Sequence, residues 1–221
     1  MKRLPFVLRF RTGKREEGRA FIQANWARAK EALAPLGAGN LSVWGVGDFA
    51  LCYGEYADET TPRQLQAVID RAMRAGLDAY CELFAAPGTL PLMYHDIGVV
   101  REDKSLIRHR VFATHLKPGC AEEYKRRHDA LIEARHGVPS PGPDSNFTIW
   151  NANGYIFGYD EIDTAYRPDP SLPQKTPEEE KADTIAWETR QLEIMDWLTD
   201  DVDWLTGQKH APSRCIFRQN A

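Results

Sequence analysis

The sequence predicts an α+β protein: two ferredoxin-like (βαββαβ) repeats in tandem, forming a dimeric α/β-barrel-like pseudo-dimer within one chain. Three observations carry that reading. Two separated blocks recur at one fixed offset. Each copy passes through the same order of strand and helix signals. Gly- and Pro-rich breaks punctuate both copies at matching places.

The offset is 106 residues. FVLRFRTGKREE (6–17) lies over FATHLKPGCAEE (112–123), so Phe6 meets Phe112, Gly13 meets Gly119, and Glu16–Glu17 meet Glu122–Glu123. NLSVWGVGDFALCYGEY (40–56) lies over NFTIWNANGYIFGYDEI (146–162) in the same register. Here Asn40 meets Asn146, Trp44 meets Trp150, Tyr53 meets Tyr159 and Glu55 meets Glu161. Two blocks in one register with no net insertion mark a duplication.

The elements follow in order. FVLRFR and VFATHLK alternate apolar with polar residues, as half-buried strands do. A Gly turn leads into a long amphipathic helix, over 15–34 in the first copy and 120–136 in the second. APLGAGN (34–40) and GVPSPGPDSN (137–146) end those helices. Two strands joined by a tight turn come next, and Asn153-Gly154 is a hairpin signal. The second helix of each copy opens on capping chemistry, Thr61-Pro62 and Thr176-Pro177-Glu178-Glu179, where Glu179 is placed to complete a capping box. An apolar segment closes each copy: PLMYHDIGVV (91–100) and RCIFR (214–218). The predicted domains are thus 1–100, a degenerate structural copy, and 108–221, with REDKSLI (101–107) as a polar linker. DTAYRPDPSLPQK (163–175) is an extra Pro-rich excursion, read as a surface loop or a lid.

Composition narrows the functional classes. Of 221 residues, 43% are hydrophobic and 27% charged, which is ordinary for a globular protein. The net charge of −4 argues against nucleic acid, whose partners present a basic face. No apolar run approaches the roughly 18 residues that span a bilayer. LPFVL is too short for the apolar region of a signal peptide, so the expected location is the cytoplasm. Cys52, Cys81, Cys120 and Cys215 form no CxxC pair and read as free thiols. The histidines show no short metal-ligand spacing, so no metal is expected.

The duplication also supplies an internal comparison. On the helix AEEYKRRHDALI (121–132), Tyr124 and His128 sit four residues apart on one stripe. Their counterparts in the first copy are Gly18 and Ile22. Five of the six histidines (109, 115, 128, 136, 210) also fall in the second copy or at its start. The candidate site is therefore expected in the second copy. Spacing alone leaves two readings open: core residues with satisfied polar tips, or an acid–base couple.

AEEYKRRHDALI, preceded by FATHLKPG and followed by NFTIWNANGYIFGYDEI, resembles the L-rhamnose mutarotase family. The likeness lies in the strand ending on a Pro/Gly turn, the EEY-x-RRH helix and the Asn-aromatic strand, and it spans about 108–162. It implies a cofactor-free isomerase of dimeric ferredoxin-like fold that interconverts the anomers of a 6-deoxy sugar such as L-rhamnose or L-fucose. It places the active-site pair on His128, as general acid/base, and Tyr124. Ring opening and closing by two proton transfers suits those side chains. A sugar also takes an aromatic face and amide donors, which points to Trp150 and Asn146. The family's adjacent Trp pair on the second helix is missing here. Trp187, Trp197 and Trp204 are spread instead, with Trp197 taken for the role. The expected partner is a small-molecule sugar, with assembly of the fused pair into a homo-oligomer left open.

Two rivals stay open. One is another cofactor-independent enzyme of this fold, monooxygenase- or lyase-like, with an apolar pocket beside His128. The other is a non-catalytic ligand-binding or assembly domain, in which Tyr124 and His128 are buried and bonded to backbone.

Overall fold

The computed structural model describes all residues except 97, 99, 102, 139–141, 172–174, 200–205, 208–212 and 220–221. Trp204 and His210 thus lie outside the described residues. The elements run β1 (Lys2–Arg3), β2 (Phe6–Phe10), α1 (Arg15–Ala24), α2 (Trp26–Leu33), β3 (Gly39–Val46), β4 (Phe49–Tyr56), α3 (Pro62–Arg74), β5 (Cys81–Ala85), β6 (Leu92–Asp96), β7 (Ile107–Leu116), α4 (Ala121–Ala134), β8 (Asp144–Ala152), β9 (Tyr155–Asp163), α5 (Pro177–Gln191), β10 (Met195–Thr199) and β11 (Arg214–Gln219). The fold is α+β, two ferredoxin-like units in tandem. Among the described residues, no helix is long and apolar enough to cross a membrane.

Local chemistry explains most boundaries. The Asn25 amide donates to the Phe21 carbonyl at 2.9 Å, and that back-bond separates α1 from α2 where one helix was expected. Thr61 caps α3 and Thr176 caps α5. Each closes a reciprocal box, with Gln64 and Glu179 respectively, and Pro follows at the first helical position.

The sheets depart from the predicted division. The first is ordered β11-β3-β4-β2-β5, with β1 also paired to β4, and the second β10-β7-β9-β8-β6. The compact units are Met1–Pro91 with Ser213–Ala221, and Leu92–Pro212, rather than 1–100 and 108–221. The strands that complete each βαββαβ plan are β5, paired with β2, and β10, paired with β7. The segments read as closing strands do something else. β6 pairs with β8 in the second sheet, and β11 pairs with β3 in the first. Each repeat thus gives its final strand to the other repeat's sheet. The physical reason is edge protection: β3 and β8 would otherwise present unpaired backbone along one side.

Each unit has its own core between helices and sheet. In the first, Leu8, Phe10, Val43, Ala50 and Ile216 form one cluster, and Leu41, Tyr56, Leu65 and Ile69 another. In the second, Phe112, Leu116, Tyr124, Ile149, Ile156 and Met195 pack together. The predicted linker is also not a simple connection. Arg101 pairs with Asp163 at 2.8 Å, and Lys104 is buried against Glu161 at 2.5 Å. The excursion after β9 runs exposed over 167–171, anchored by the Thr164 hydroxyl donating to the Leu106 carbonyl at 2.7 Å.

Candidate functional site

In the second unit, the buried residues of α4 are Tyr124, Arg127 and His128. Helical geometry brings His128 Nδ1 to 2.9 Å from the Tyr124 carbonyl. A carbonyl only accepts, so Nδ1 carries the proton and Nε2 holds the lone pair. Three rings surround the imidazole: Tyr124 at 4.2 Å, Trp187 at 5.1 Å and Tyr94 at 5.4 Å between centroids. Burial pushes the His128 pKa down to about 4, against the opposing pull of the bond to the Tyr124 carbonyl. Burial likewise pushes the Tyr124 phenol up. Among the described residues the two side chains share a ring contact and no hydrogen bond. A base whose conjugate acid titrates near 4 is a weak proton acceptor at neutral pH.

The depressed value has a consequence for stability. Folding favours neutral His128, so its contribution is present above the unfolded value of 6.5 and is lost as pH falls toward about 4. In NMR, the His128 ring protons are expected to keep their chemical shifts down to about pH 5. A midpoint near 6.5 would show a solvated imidazole instead.

The predicted site residues divide between the two faces of the sheet. Ile149 belongs to the core that holds Tyr124, and Trp197 packs against that core too. Trp197 stands on β10, opposite Thr114, and not on a helix. Alternation from Ile149 turns Thr148 and Trp150 to the other face of the sheet, opposite Tyr159 and Phe157. Asn146 lies at a bulge with φ of 51°, fully buried, and its amide donates to Glu161 Oε1 at 3.1 Å. The Tyr159 hydroxyl donates to the same oxygen at 2.9 Å. The first unit repeats this triad with Asn40, Tyr53 and Glu55. Asn146 therefore plays a part common to both repeats. The sheet stands between Asn146 and Trp150 on one side and Tyr124, His128 and Trp197 on the other.

The first repeat does supply a residue beside His128. The exchanged β6 brings in Tyr94, whose hydroxyl donates to Asp96 Oδ2 at 3.2 Å. Arg135, just past the end of α4, donates to the same oxygen at 2.5 Å. Sequence reasoning missed Asp96, Arg135 and the contact of Trp187. Period-2 alternation puts Tyr94 and Asp96 on one face, but nothing local assigns that face to this sheet.

The Gly18 comparison also gains a physical explanation. A Cβ on Gly18 would lie 2.7 Å from the Phe10 ring, which fills the space beside α1. At the matching positions, the second unit has Leu116 and Tyr124. The phenol thus replaces volume that Phe10 supplies in the first unit.

The first unit, expected to be structural, holds a cavity of about 330 Å³ between α1–α3 and the sheet. Its wall is mainly aliphatic and aromatic, and includes Trp26, Leu65 and Val68 together with the small residues Ala29, Ala32 and Ala72. The Trp26 indole stacks on Phe217 of the exchanged β11, with ring centroids 3.6 Å apart. Its N–H is buried and has no hydrogen-bond partner among the described residues. Among the described residues, no group of three or more His, Cys, Asp or Glu side chains is placed to hold a metal ion.

No protein-family model matches the chain, and no curated protein matches it. Among solved structures, it is similar to a protein of Fusobacterium nucleatum subsp. nucleatum that is provisionally named a monooxygenase. The TM-score is 0.51 and the identity 8%, over 99% of this chain and 94% of the other. At that identity the likeness shows a shared fold, of the dimeric α/β-barrel class, and no more.

Proposed function

We propose that this protein binds a small, predominantly apolar molecule in the cavity of its first unit. The observation that carries this is the cavity itself, within a helix–sheet core. Protein interiors leave few voids larger than a water molecule. At about 330 Å³ this one reaches the range of about 300–1,000 Å³ typical of ligand sites. The unpartnered Trp26 N–H adds one donor for an acceptor atom on the ligand.

This reading is favoured over anomer exchange at His128. The hydroxyl-holding amide and the aromatic platform expected for a sugar lie across the sheet from the imidazole. It also departs from the expected apolar pocket beside His128, since this cavity belongs to the other unit. Cys52, the thiol in its wall, is pushed far up by burial, which suits packing rather than nucleophilic chemistry. The like-folded Fusobacterium protein favours one enzymatic extension, an oxygen-dependent conversion of the bound molecule. Oxygen uptake with ligand bound would read that out.

The test uses Nile red, a neutral apolar fluorophore. Saturable binding with a blue-shifted emission is expected. Ala72→Phe, which projects a ring into the space, is expected to weaken it at least about tenfold while leaving far-UV circular dichroism unchanged. Non-saturable binding, or equal affinity in a folded Ala72→Phe, would refute the assignment.

A further inference from the structure

We infer that the ligand of this cavity is an amphiphilic acid, with its carboxylate held at the mouth by Arg28 and Arg71. The inference rests on the cavity reading above and adds the ligand's polar end.

Arg28 of α2 and Arg71 of α3 both contribute to the cavity wall, and among the described residues they are its only charged ones. Both are exposed, so they stand where the apolar space meets solvent. Among the described residues, no carboxylate belongs to the wall. Among the described residues, neither guanidinium makes an ion pair or a side-chain hydrogen bond. Other arginines of the unit are engaged: Arg9 pairs with Glu82, Arg15 with Asp48 and Arg19 with Glu16. Arg63 and Arg74 of α3 also lack an ion pair among the described residues, but unlike Arg28 and Arg71 they do not line the cavity. Glu31, one turn beyond Arg28 on α2, makes no ion pair with it. Asp70, beside Arg71, accepts from the Gln66 amide at 2.7 Å instead.

Two unpaired guanidinium groups on helices that line one cavity form a site for a planar anion. Arginine presents a fork that matches both oxygens of a carboxylate. The mouth thus selects charge while the interior selects apolar bulk. The duplication supports a dedicated role. The counterpart of Arg28 is Ala134 and that of Trp26 is Ile132, so the second unit lacks the charge and the indole at those positions.

The experiment displaces Nile red from the full chain with decanoic acid and with methyl decanoate. The two have the same apolar chain and differ in head charge. The acid is expected to bind at least about tenfold more tightly, from one to two charge-assisted hydrogen bonds at a solvated mouth. Raising the salt should weaken the acid and leave the ester unchanged. In Arg28→Gln/Arg71→Gln the acid's advantage should fall to about onefold, with the ester's affinity retained. Equal affinities for acid and ester in the wild-type chain would overturn the inference while leaving the cavity reading intact. So would an acid preference that survives the double substitution. Failure of Nile red and both competitors to bind would overturn the cavity reading and this inference with it. The wild-type comparison decides the matter even if the double variant does not fold.

Discussion

Replacing Lys104 by Met is expected to cost the second unit about 3–5 kcal/mol, the range for breaking a buried ion pair from one side. Glu161 is fully buried, and the Lys104 side chain is 5% exposed. The ammonium lies 2.5 Å from Oε2, while Oε1 accepts from Asn146 and Tyr159. The carboxylate therefore has a donor on each oxygen, and Lys104 supplies a compensating cation. Lys104→Met leaves the charge in place without that cation. A second substitution separates this cause from lost packing. Lys104→Met/Glu161→Gln should be more stable than Lys104→Met alone, because no uncompensated charge then remains. Hydrogen exchange of peptides from β7, β8 and β9 reads the change in this unit directly. A loss below about 1 kcal/mol for the single variant would mean that the pair is solvated and weak.

The same lysine shows where sequence reasoning stops. In REDKSLI it looked like part of a polar connection, because charge density predicts exposure unless a partner is known. The partner is 57 residues away in sequence. By contrast, what depends on near neighbours was legible. Both Thr-Pro helix starts, the Asn153-Gly154 turn and the duplicated strand–helix order rest on contacts within a few residues, and the structure has them. The exchange of β6 and β11 was not legible. Alternation states which residues share a face, and it leaves the partner strand open. β5 and β10, at five residues each, were passed over for the apolar segments that follow them.

The candidate site divides along the same line. The stripe of Tyr124 and His128 was predictable from helical spacing, and both do face the core. Their surroundings depend on long-range packing: Tyr94 reaches His128 only through an exchanged strand. The cavity of the first unit was hidden for a related reason. It arises from Ala29 and Ala32 on α2 and Ala72 on α3, small residues on different helices. Each alone reads as an ordinary helix former. The shortfall in volume appears only when those helices are set over one sheet.

Asp160→Asn is expected to stabilise the protein by at least roughly 1–3 kcal/mol at neutral to alkaline pH, because it removes a carboxyl that ionises more readily in the unfolded chain than in the fold. Asp160 is fully buried on β9, and neither carboxylate oxygen makes a well-formed hydrogen bond among the described residues, although the Asp144 carboxyl and the Glu161 backbone lie close enough to interact with it. Burial pushes its carboxyl well above the usual range, and the Asp144 carboxylate pushes the same way. Arg110, directly across the strand pair, pulls weakly in the opposite direction. The folded state therefore keeps a proton that the unfolded chain has lost above the ordinary value of 3.8. Stability from this group is full below that value and falls as pH rises, until the folded carboxyl itself ionises. His128 acts with the opposite sign, since its neutral form is favoured and stability rises as pH climbs from about 4 to 6.5. The two effects overlap in the wild-type profile. The difference between wild type and Asp160→Asn isolates the carboxylate, because the variant retains His128. That difference should grow with pH and then level off, measured by urea unfolding at a series of pH values. A flat difference, or a variant less stable at every pH, would mean that the Asp160 carboxylate is stabilised as an anion.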